Sequence, residues 1–149
     1  MLFTNYLILA GAALAAAVPS ELAGPKPNQF TITNFVFGCT VGCDWSFNVA
    51  VQGSGPDHPP VKKPVKCSGN VNDAKDYVDC GKISDTQRIK AYIVKATNQL
   101  KLEYEVQKPN HGAVYRYTGE KKVYAATGEH AKLQKPNFVV KETGSTGVA

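Results

Sequence analysis

The segment from Trp45 to Val51 alternates between large apolar side chains and small or polar ones. In an extended chain, the apolar positions of this segment all point to one side: Trp45, Phe47, Val49 and Val51. A period of two is typical of a β-strand with one buried face. The pattern therefore predicts a strand here, with Trp45 and Phe47 in the core.

A second alternating segment runs from Leu100 to Gln107 and follows a strand-like stretch from Arg88 to Thr97. Its apolar positions are Leu, Leu, Tyr and Val, and the positions between them are Lys, Glu, Glu and Gln. Because one face is apolar and the other charged, the segment suits an antiparallel sheet with one solvated side. The two stretches, joined at Asn98-Gln99, predict a β-hairpin.

Shorter patterns predict the other strands. The segment Phe30 to Phe37 reads as a strand with apolar residues on both faces, because Asn34 interrupts its alternation. Gln52 to Pro64 contains four prolines and is expected to be a loop. Further short strands are expected at these places: Val65 to Cys67, Tyr77 to Cys80, Tyr115 to Thr118, Lys122 to Ala126 and Phe138 to Lys141.

About eight or nine short strands predict an all-β domain, a single small antiparallel barrel or sandwich over residues 29–143. The composition also favours strands, because after position 17 the chain has 16 Val and 4 Ile against 4 Leu, and β-branched residues are enriched in strands. Residues 18–28 contain three prolines and are expected to form a flexible leader. Residues 144–149 are expected to form a flexible tail.

The first seventeen residues predict a secretory signal peptide. They contain no charged side chain, have an apolar core from Tyr6 to Leu14, and end in three alanines that suit a signal peptidase. We expect cleavage before Val18 and an extracellular location. In that oxidising compartment an even number of cysteines favours disulfides.

The four cysteines, Cys39, Cys43, Cys67 and Cys80, are expected to form two disulfides. Three pairings are possible, and we favour Cys39 with Cys43 and Cys67 with Cys80. The second pair closes the longer loop, so it should stabilise the fold more. There is no second pair of closely spaced cysteines and the histidines lie in unrelated contexts, so we expect no metal site and no cofactor.

No catalytic constellation is apparent. The chain has no Gly-x-Ser-x-Gly motif, and His58 and His111 lie in turn-like sequence, where we expect solvated loop histidines. Glu103 and Glu105 project to the same face of a strand, but they are interpreted as part of a solvated row of charges. We therefore expect a protein that is not an enzyme.

Two surface features are candidates for binding. Tyr115-Arg116-Tyr117 groups two tyrosines around a cation, which is typical of contact surfaces. The basic segment Lys62 to Lys66 and the pair Lys121-Lys122 would attract anions, and the formal net charge is +5. However, only two of the 17 basic residues are arginines, so we expect no nucleic-acid partner. No apolar segment is long enough to span a membrane.

Two stretches carry a resemblance to known proteins. The strand from Asp44 to Val51 is similar to an early core strand, and Cys67-Ser-Gly-Asn, running through Asp76-Tyr77-Val78-Asp79 to Cys80-Gly81, is similar to a central disulfide segment. The chain thereby resembles small secreted proteins of filamentous fungi and, more distantly, the Alternaria major-allergen-like β-barrel family. That resemblance implies an extracellular barrel without known enzymatic activity, in a group that includes allergens and elicitors of plant defence.

The chain departs from that family because no cysteine precedes Cys39 and no disulfide pair follows Cys80. We therefore expect no covalent dimer. The resulting hypothesis is a secreted, effector-like or allergen-like fungal protein that contacts a host extracellular protein or a cell-wall glycan. The alternative is a carrier that holds a small ligand inside the barrel, and a cryptic glycan hydrolase ranks last.

Overall fold

The computed structural model describes residues 28–73 and 76–148, and within them the chain is almost entirely β. The expected signal peptide and nearly all of the expected leader lie outside the described residues. The eight strands are β1 (Gln29–Cys39), β2 (Cys43–Gln52), β3 (Val61–Asn70), β4 (Val78–Asp79), β5 (Gln87–Val94), β6 (Gln99–Lys108), β7 (Ala113–Lys122) and β8 (Phe138–Val148). Two short 3-10 helices lie at Pro109–His111 and Ala131–Leu133.

The strands form one antiparallel sheet that curls into a nearly closed barrel, which confirms the predicted fold class. The strand order is β3-β2-β1-β8-β7-β6-β5-β4, so β3 and β4 are the edges. The Cys67–Cys80 disulfide joins β3 to the residue after β4, and the Gly81 N–H donates to the Lys66 carbonyl oxygen at 3.2 Å. These links hold the two edges together.

Both disulfides have the expected pairing, Cys39 with Cys43 and Cys67 with Cys80. In the chain-entropy model, closing a loop as long as that between Cys67 and Cys80 stabilises the fold by about 3 kcal/mol. The Cys39–Cys43 bridge spans the tight turn between β1 and β2, so its loop is shorter and its contribution smaller.

Large side chains fill the inside of the barrel. Trp45 and Phe47 are buried on the inward face of β2, as the alternation predicts. The largest side chains with less than 2% exposure come from β1, β2, β5, β6 and β8: Tyr104, Phe30, Phe37, Phe47, Ile32, Ile89, Ile93, Leu100, Leu102, Val49, Val106 and Val140.

A β-bulge in β1 corrects the expectation of a strand with two apolar faces. The register with β2 shifts between Thr33 and Val36, and Asn34 has a positive φ of 54°. The extra residue reverses the alternation, so Phe35 and Phe37 turn inward like Phe30, while Val36 is 58% exposed. Asn suits this position because it tolerates the left-handed conformation better than most residues.

Two boundaries around turns differ from the predictions. β3 begins at Val61 and includes Pro64, whereas the loop was expected to extend through Pro64. An edge strand accommodates proline, since one side of it makes no ladder hydrogen bonds. In the predicted hairpin, Val94 pairs with Gln99, so the turn is formed by residues 95–98, with Asn98 at a φ of 54°.

The C-terminal part of the barrel is more regular than predicted. β7 is one strand that ends at Lys122, so residues 123–126 are not the separate strand that was expected. β8 continues through the expected flexible tail, and Val148 pairs with Val114. The residues of this tail are small or polar and show no alternation, but their backbone groups complete the ladder with β7.

Candidate functional site

The strand registers give the barrel two ends. One end, called here the His58 end, contains the β2–β3 loop (53–60), the beginning of β7 and the end of β8. The other, called the groove end, contains the β1–β2 turn, the β5–β6 turn and the segment 123–137 between β7 and β8.

At the His58 end, the β2–β3 loop folds inward over the barrel. His58 is only 4% exposed, and its Nε2 lies 2.5 Å from Oε2 of Glu142 on β8. Its ring also packs against Tyr117, with 3.9 Å between the ring centroids. The expectation of a solvated His58 is therefore wrong, because the loop is pinned to the barrel by this side chain. His111 is exposed at the end of a short 3-10 helix, as expected.

Two buried tyrosines hold the same loop through its carbonyl groups. The Tyr104 hydroxyl donates to the Pro59 carbonyl oxygen at 2.8 Å and accepts from Nε2 of Gln87 at 2.7 Å. The Tyr117 hydroxyl donates to the Asp57 carbonyl oxygen at 2.6 Å. These bonds satisfy polar groups that would otherwise be buried without partners.

Burial moves the pKa of both hydroxyls further above neutral pH. It raises the pKa of Tyr104 above its ordinary value, although the hydrogen bond from Gln87 opposes the shift. Burial, followed by the negative charges of Asp57 and Glu142, raises the pKa of Tyr117 to about 12. At neutral pH both tyrosines are therefore hydrogen-bond donors that stabilise the loop.

The His58–Glu142 pair resembles a general base with an orienting carboxylate. However, the side chain of His58 is 5% exposed, and Nδ1 is buried without a hydrogen-bond partner among the described residues. A general base must come within hydrogen-bond reach of the proton that it removes. Because Nδ1 is buried and Nε2 contacts Glu142, this arrangement ties the loop to β8 and offers no access to a substrate.

On the outer wall, Glu105 is the centre of an ionic network and is 4% exposed. Its carboxylate accepts a hydrogen bond from Nε of Arg116 at 3.2 Å and one from Gln107 at 3.1 Å, and Nζ of Lys90 lies 3.8 Å away. Burial alone would raise the pKa of Glu105, but these bonds and charges outweigh it and lower the pKa.

The expected solvated row of charges is therefore wrong for Glu105. Its cross-strand neighbours Arg88 and Arg116 flank it on both sides and shield it from water. Glu103 also lies near Arg116, at 3.6 Å between the charged atoms. Since Glu103 and Glu105 are tied to cations on the convex wall, they do not face each other across a cleft as a glycosidase requires.

The groove end carries an open apolar groove with a volume of about 260 Å³. Phe35 is its most buried aromatic residue and makes an edge-to-face contact with Phe138, with ring centroids 5.3 Å apart. Leu133 is 50% exposed. The apolar part of the lining consists of Phe35, Val123, Tyr124, Leu133 and Phe138.

The groove exists because β8 changes partners. Its second half pairs with β7 up to Gly119 and Glu142, whereas its first half pairs with β1 at Gln29–Ile32. The rest of β1 is covered by the segment 123–137, whose Pro136 carbonyl oxygen accepts from the Phe35 N–H at 2.9 Å. The strands therefore separate where the groove opens.

Gln134 fixes the shape of this segment. Its Nε2 donates to the carbonyl oxygens of Phe37 and Tyr124, at 2.7 Å each. The Ala126 N–H donates to the same Phe37 carbonyl oxygen, at 2.7 Å. Through these bonds, a loop with little regular structure covers the free edge of β1 in the place of a strand.

Three lysines border the groove: Lys121, Lys122 and Lys135. Lys121 lies over the ring of Phe138, with Nζ 5.1 Å from the centroid, and Lys122 lies over Tyr124 at 5.9 Å. No acidic side chain contributes to the lining. Within residues 28–73 and 76–148, none of the three amino groups forms an ion pair. The groove is thus apolar inside and positively charged at its border.

The binding cluster predicted from sequence is divided by the strand. Tyr117 is buried and Tyr115 packs against the core, whereas Arg116 points outward to Glu103 and Glu105. Neighbouring residues of a strand point to opposite faces, so these three side chains do not form one surface. The basic segment Lys62 to Lys66 lies on the edge strand β3, apart from the groove.

Sequence reasoning missed the pinning role of His58 and the groove. A histidine among prolines and glycines reads as a surface turn, and nothing local indicates Glu142, 84 positions away. For the groove, Lys121-Lys122 was noted as a basic pair, but Leu133 and Phe35 belong to segments far apart in the chain. An isolated apolar residue between lysines, as at Leu133, was the one available signal.

Comparisons with protein-family models, with curated proteins and with solved structures find no match for this chain. No helix of the described residues is long and apolar enough to cross a membrane. In the same part of the chain, no group of three or more His, Cys, Asp or Glu side chains is arranged to hold a metal ion.

Proposed function

We propose that the protein is a secreted, non-enzymatic fungal protein of the effector type, which acts by contact between its surface and a host extracellular protein or cell-wall component. The observation that carries the proposal is an apolar groove with a basic border, open at one end of a barrel whose interior is filled. Exposed apolar surface with a polar rim is typical of interaction sites.

The disulfides support the extracellular part of this proposal. Two intramolecular bridges, one of them joining the edges of the barrel, are suited to an oxidising compartment. The predicted signal peptide gives the same location, and the resemblance to small secreted fungal proteins suggests a plant as the host.

The alternative of a ligand carrier finds no support in the barrel interior. The positions that would surround an internal ligand are occupied by Tyr104, Phe30 and Phe47, each less than 2% exposed. Ligand pockets usually have a volume of at least about 300 Å³. To open a pocket of that volume inside the barrel, several of these side chains would have to move outward.

The test uses the purified, oxidised protein and two immobilised preparations, the protein fraction of leaf extracellular fluid and isolated cell-wall polysaccharide. Surface plasmon resonance measures binding to each, and a reducing-sugar assay on the same polysaccharide measures hydrolysis. Saturable binding to either preparation without sugar release is the expected result. Sugar release contradicts the proposal, and so does the absence of saturable binding to either preparation.

A further inference from the structure

The lining of the groove selects against a carbohydrate ligand. Sugars are bound through many hydrogen bonds to their hydroxyl groups, but Phe35, Val123 and Phe138 contribute side chains to the lining that have no hydrogen-bonding group. The amide nitrogen of Gln134 is already committed to two backbone carbonyl oxygens. An apolar group therefore fits the groove better than a polar one, because it leaves no hydrogen bond unmade.

The size of the groove selects a small apolar group. Its volume of about 260 Å³ is slightly below the range for drug-sized ligands, so it suits one or two apolar side chains. Interfaces between proteins commonly place one large apolar side chain in such a depression and surround it with polar contacts. Leu133, half exposed, provides apolar contact at the border.

The border of the groove selects a negative charge next to that apolar group. Lys121, Lys122 and Lys135 contribute three positive charges, and no carboxylate of the lining balances them. In contrast, the positive charge of Arg116 on the outer wall is neutralised by Glu103 and Glu105. Complementary charges raise both the rate and the specificity of association.

We propose that the groove binds a short acidic segment of a partner protein, with one or two large apolar side chains inserted between Phe35, Leu133 and Phe138 and with carboxylates beside Lys121, Lys122 and Lys135. The inference rests on the proposed function and narrows the partner from a protein or wall component to an acidic protein segment. It assigns to the segment 123–137 the role of forming one wall of the binding site, with Leu133 and Lys135.

The test uses a synthetic peptide with blocked ends, Glu-Asp-Gly-Leu-Phe-Gly-Asp-Glu. One reference peptide replaces Leu-Phe with Ser-Ser, and a second replaces each acidic residue with its amide. Titration calorimetry and amide chemical-shift changes of the labelled protein measure the affinity and the place of binding. We expect the first peptide to bind more tightly than either reference peptide, with shifts confined to residues 119–138 and the neighbouring residues 33–38 of β1.

Two variants with the same change of charge separate the groove from general attraction. Lys121→Gln/Lys122→Gln/Lys135→Gln should weaken binding about tenfold, which corresponds to the loss of three exposed ion pairs of ordinary strength. The control Lys62→Gln/Lys63→Gln/Lys66→Gln removes three charges from β3 and should change the affinity less than about twofold.

A second pair of variants tests the apolar contact. Leu133→Glu places a carboxylate in the groove and should abolish binding, whereas Val148→Glu changes a residue of similar exposure, 59%, at the His58 end and should leave binding intact. Since both residues are exposed, both variants should fold, and their amide spectra verify it.

Equal weakening by the two triple-lysine variants, or binding of the Ser-Ser peptide as tight as that of the first, would overturn the inference. Two further results distinguish a failure of this inference from a failure of the proposed function. If the leaf protein fraction binds the wild-type protein and the Leu133→Glu variant equally, surface contact stands but the groove is not its site. If wall polysaccharide alone binds, the partner class inferred here is wrong.

Discussion

The two ends of the barrel differ in how completely a loop covers them. At the His58 end, buried tyrosine hydroxyls and the His58–Glu142 contact pull a proline-rich loop over the core. At the groove end, backbone bonds hold the segment 123–137 against β1, but Leu133 stays half exposed and the groove open. We infer that the His58 end stabilises the fold and that the groove end is accessible for contact. Binding surfaces are usually drawn from less tightly packed regions.

The largest effect is expected from His58→Ala. The substitution leaves the Glu142 carboxylate without its partner and a cavity beside Tyr117, so the free energy of unfolding should fall by about 3 kcal/mol. Chemical denaturation monitored by the fluorescence of Trp45 measures it. The matched control is His111→Ala, an exposed histidine, for which a change below about 0.5 kcal/mol is expected. Equal effects of the two variants would show that the His58 end is not the stabilised end.

A smaller loss is expected from Tyr104→Phe. The substitution removes one hydroxyl and with it the bonds to the Pro59 carbonyl oxygen and Gln87, at a cost of about 1.5 kcal/mol. Tyr92→Phe, on the outer wall, is the control and should be nearly neutral. Hydrogen exchange of the loop 53–60 should become faster in the first variant alone. Unchanged exchange in this loop would contradict its attachment through Tyr104.

The ionic network near the His58 end gives a dependence on pH. Glu105→Gln should destabilise the protein by about 1 kcal/mol at pH 7, because its cationic partners are partly exposed and screened. Since the folded protein lowers the pKa of Glu105 below its ordinary value of 4.5, this contribution is present above pH 4.5 and is lost as the pH falls through the folded pKa.

Denaturation of wild type and Glu105→Gln between pH 2 and pH 8 measures this difference. The two curves should converge at acidic pH, where both side chains are uncharged. A difference that stays constant across the range would mean that Glu105 contributes through packing and not through its charge.

The smallest effect is expected from Leu133→Ser at the groove end. Because Leu133 is 50% exposed, its loss should change the free energy of unfolding by less than about 0.5 kcal/mol. The same denaturation experiment checks it. A loss comparable to that of His58→Ala would show that the groove end is as tightly packed as the His58 end, and the contrast between the two ends would disappear.

Local patterns predicted the strands whose alternation is unbroken. β2 and β6 were recognisable because each has one apolar face along its length. Three disulfide pairings were open, and the favoured one, between cysteines near each other in the chain, is confirmed. β1 was misread because Asn34 inserts a bulge, and an insertion of one residue reverses the faces without changing the composition. β8 extends further than predicted because its second half is held by backbone bonds to β7, which leave no side-chain pattern.

The two ends of the barrel were beyond the reach of local patterns. His58 is buried through contacts with Glu142 and Tyr117, and these residues are brought together only when the sheet closes. Likewise, the groove combines Phe35 of β1 with Leu133 and Phe138, which follow about 100 positions later in the chain. Because neighbouring residues of a strand point to opposite faces, Tyr115 and Arg116 do not share a surface. This part of the predicted cluster could therefore have been rejected from the sequence.

The most direct test of the account is hydrogen–deuterium exchange of the protein with and without the Glu-Asp-Gly-Leu-Phe-Gly-Asp-Glu peptide. We expect slower exchange in residues 121–124 and 133–138 when the peptide is bound, and unchanged exchange in the loop 53–60 at the His58 end. Protection of the loop 53–60 without protection of the groove segments would contradict it.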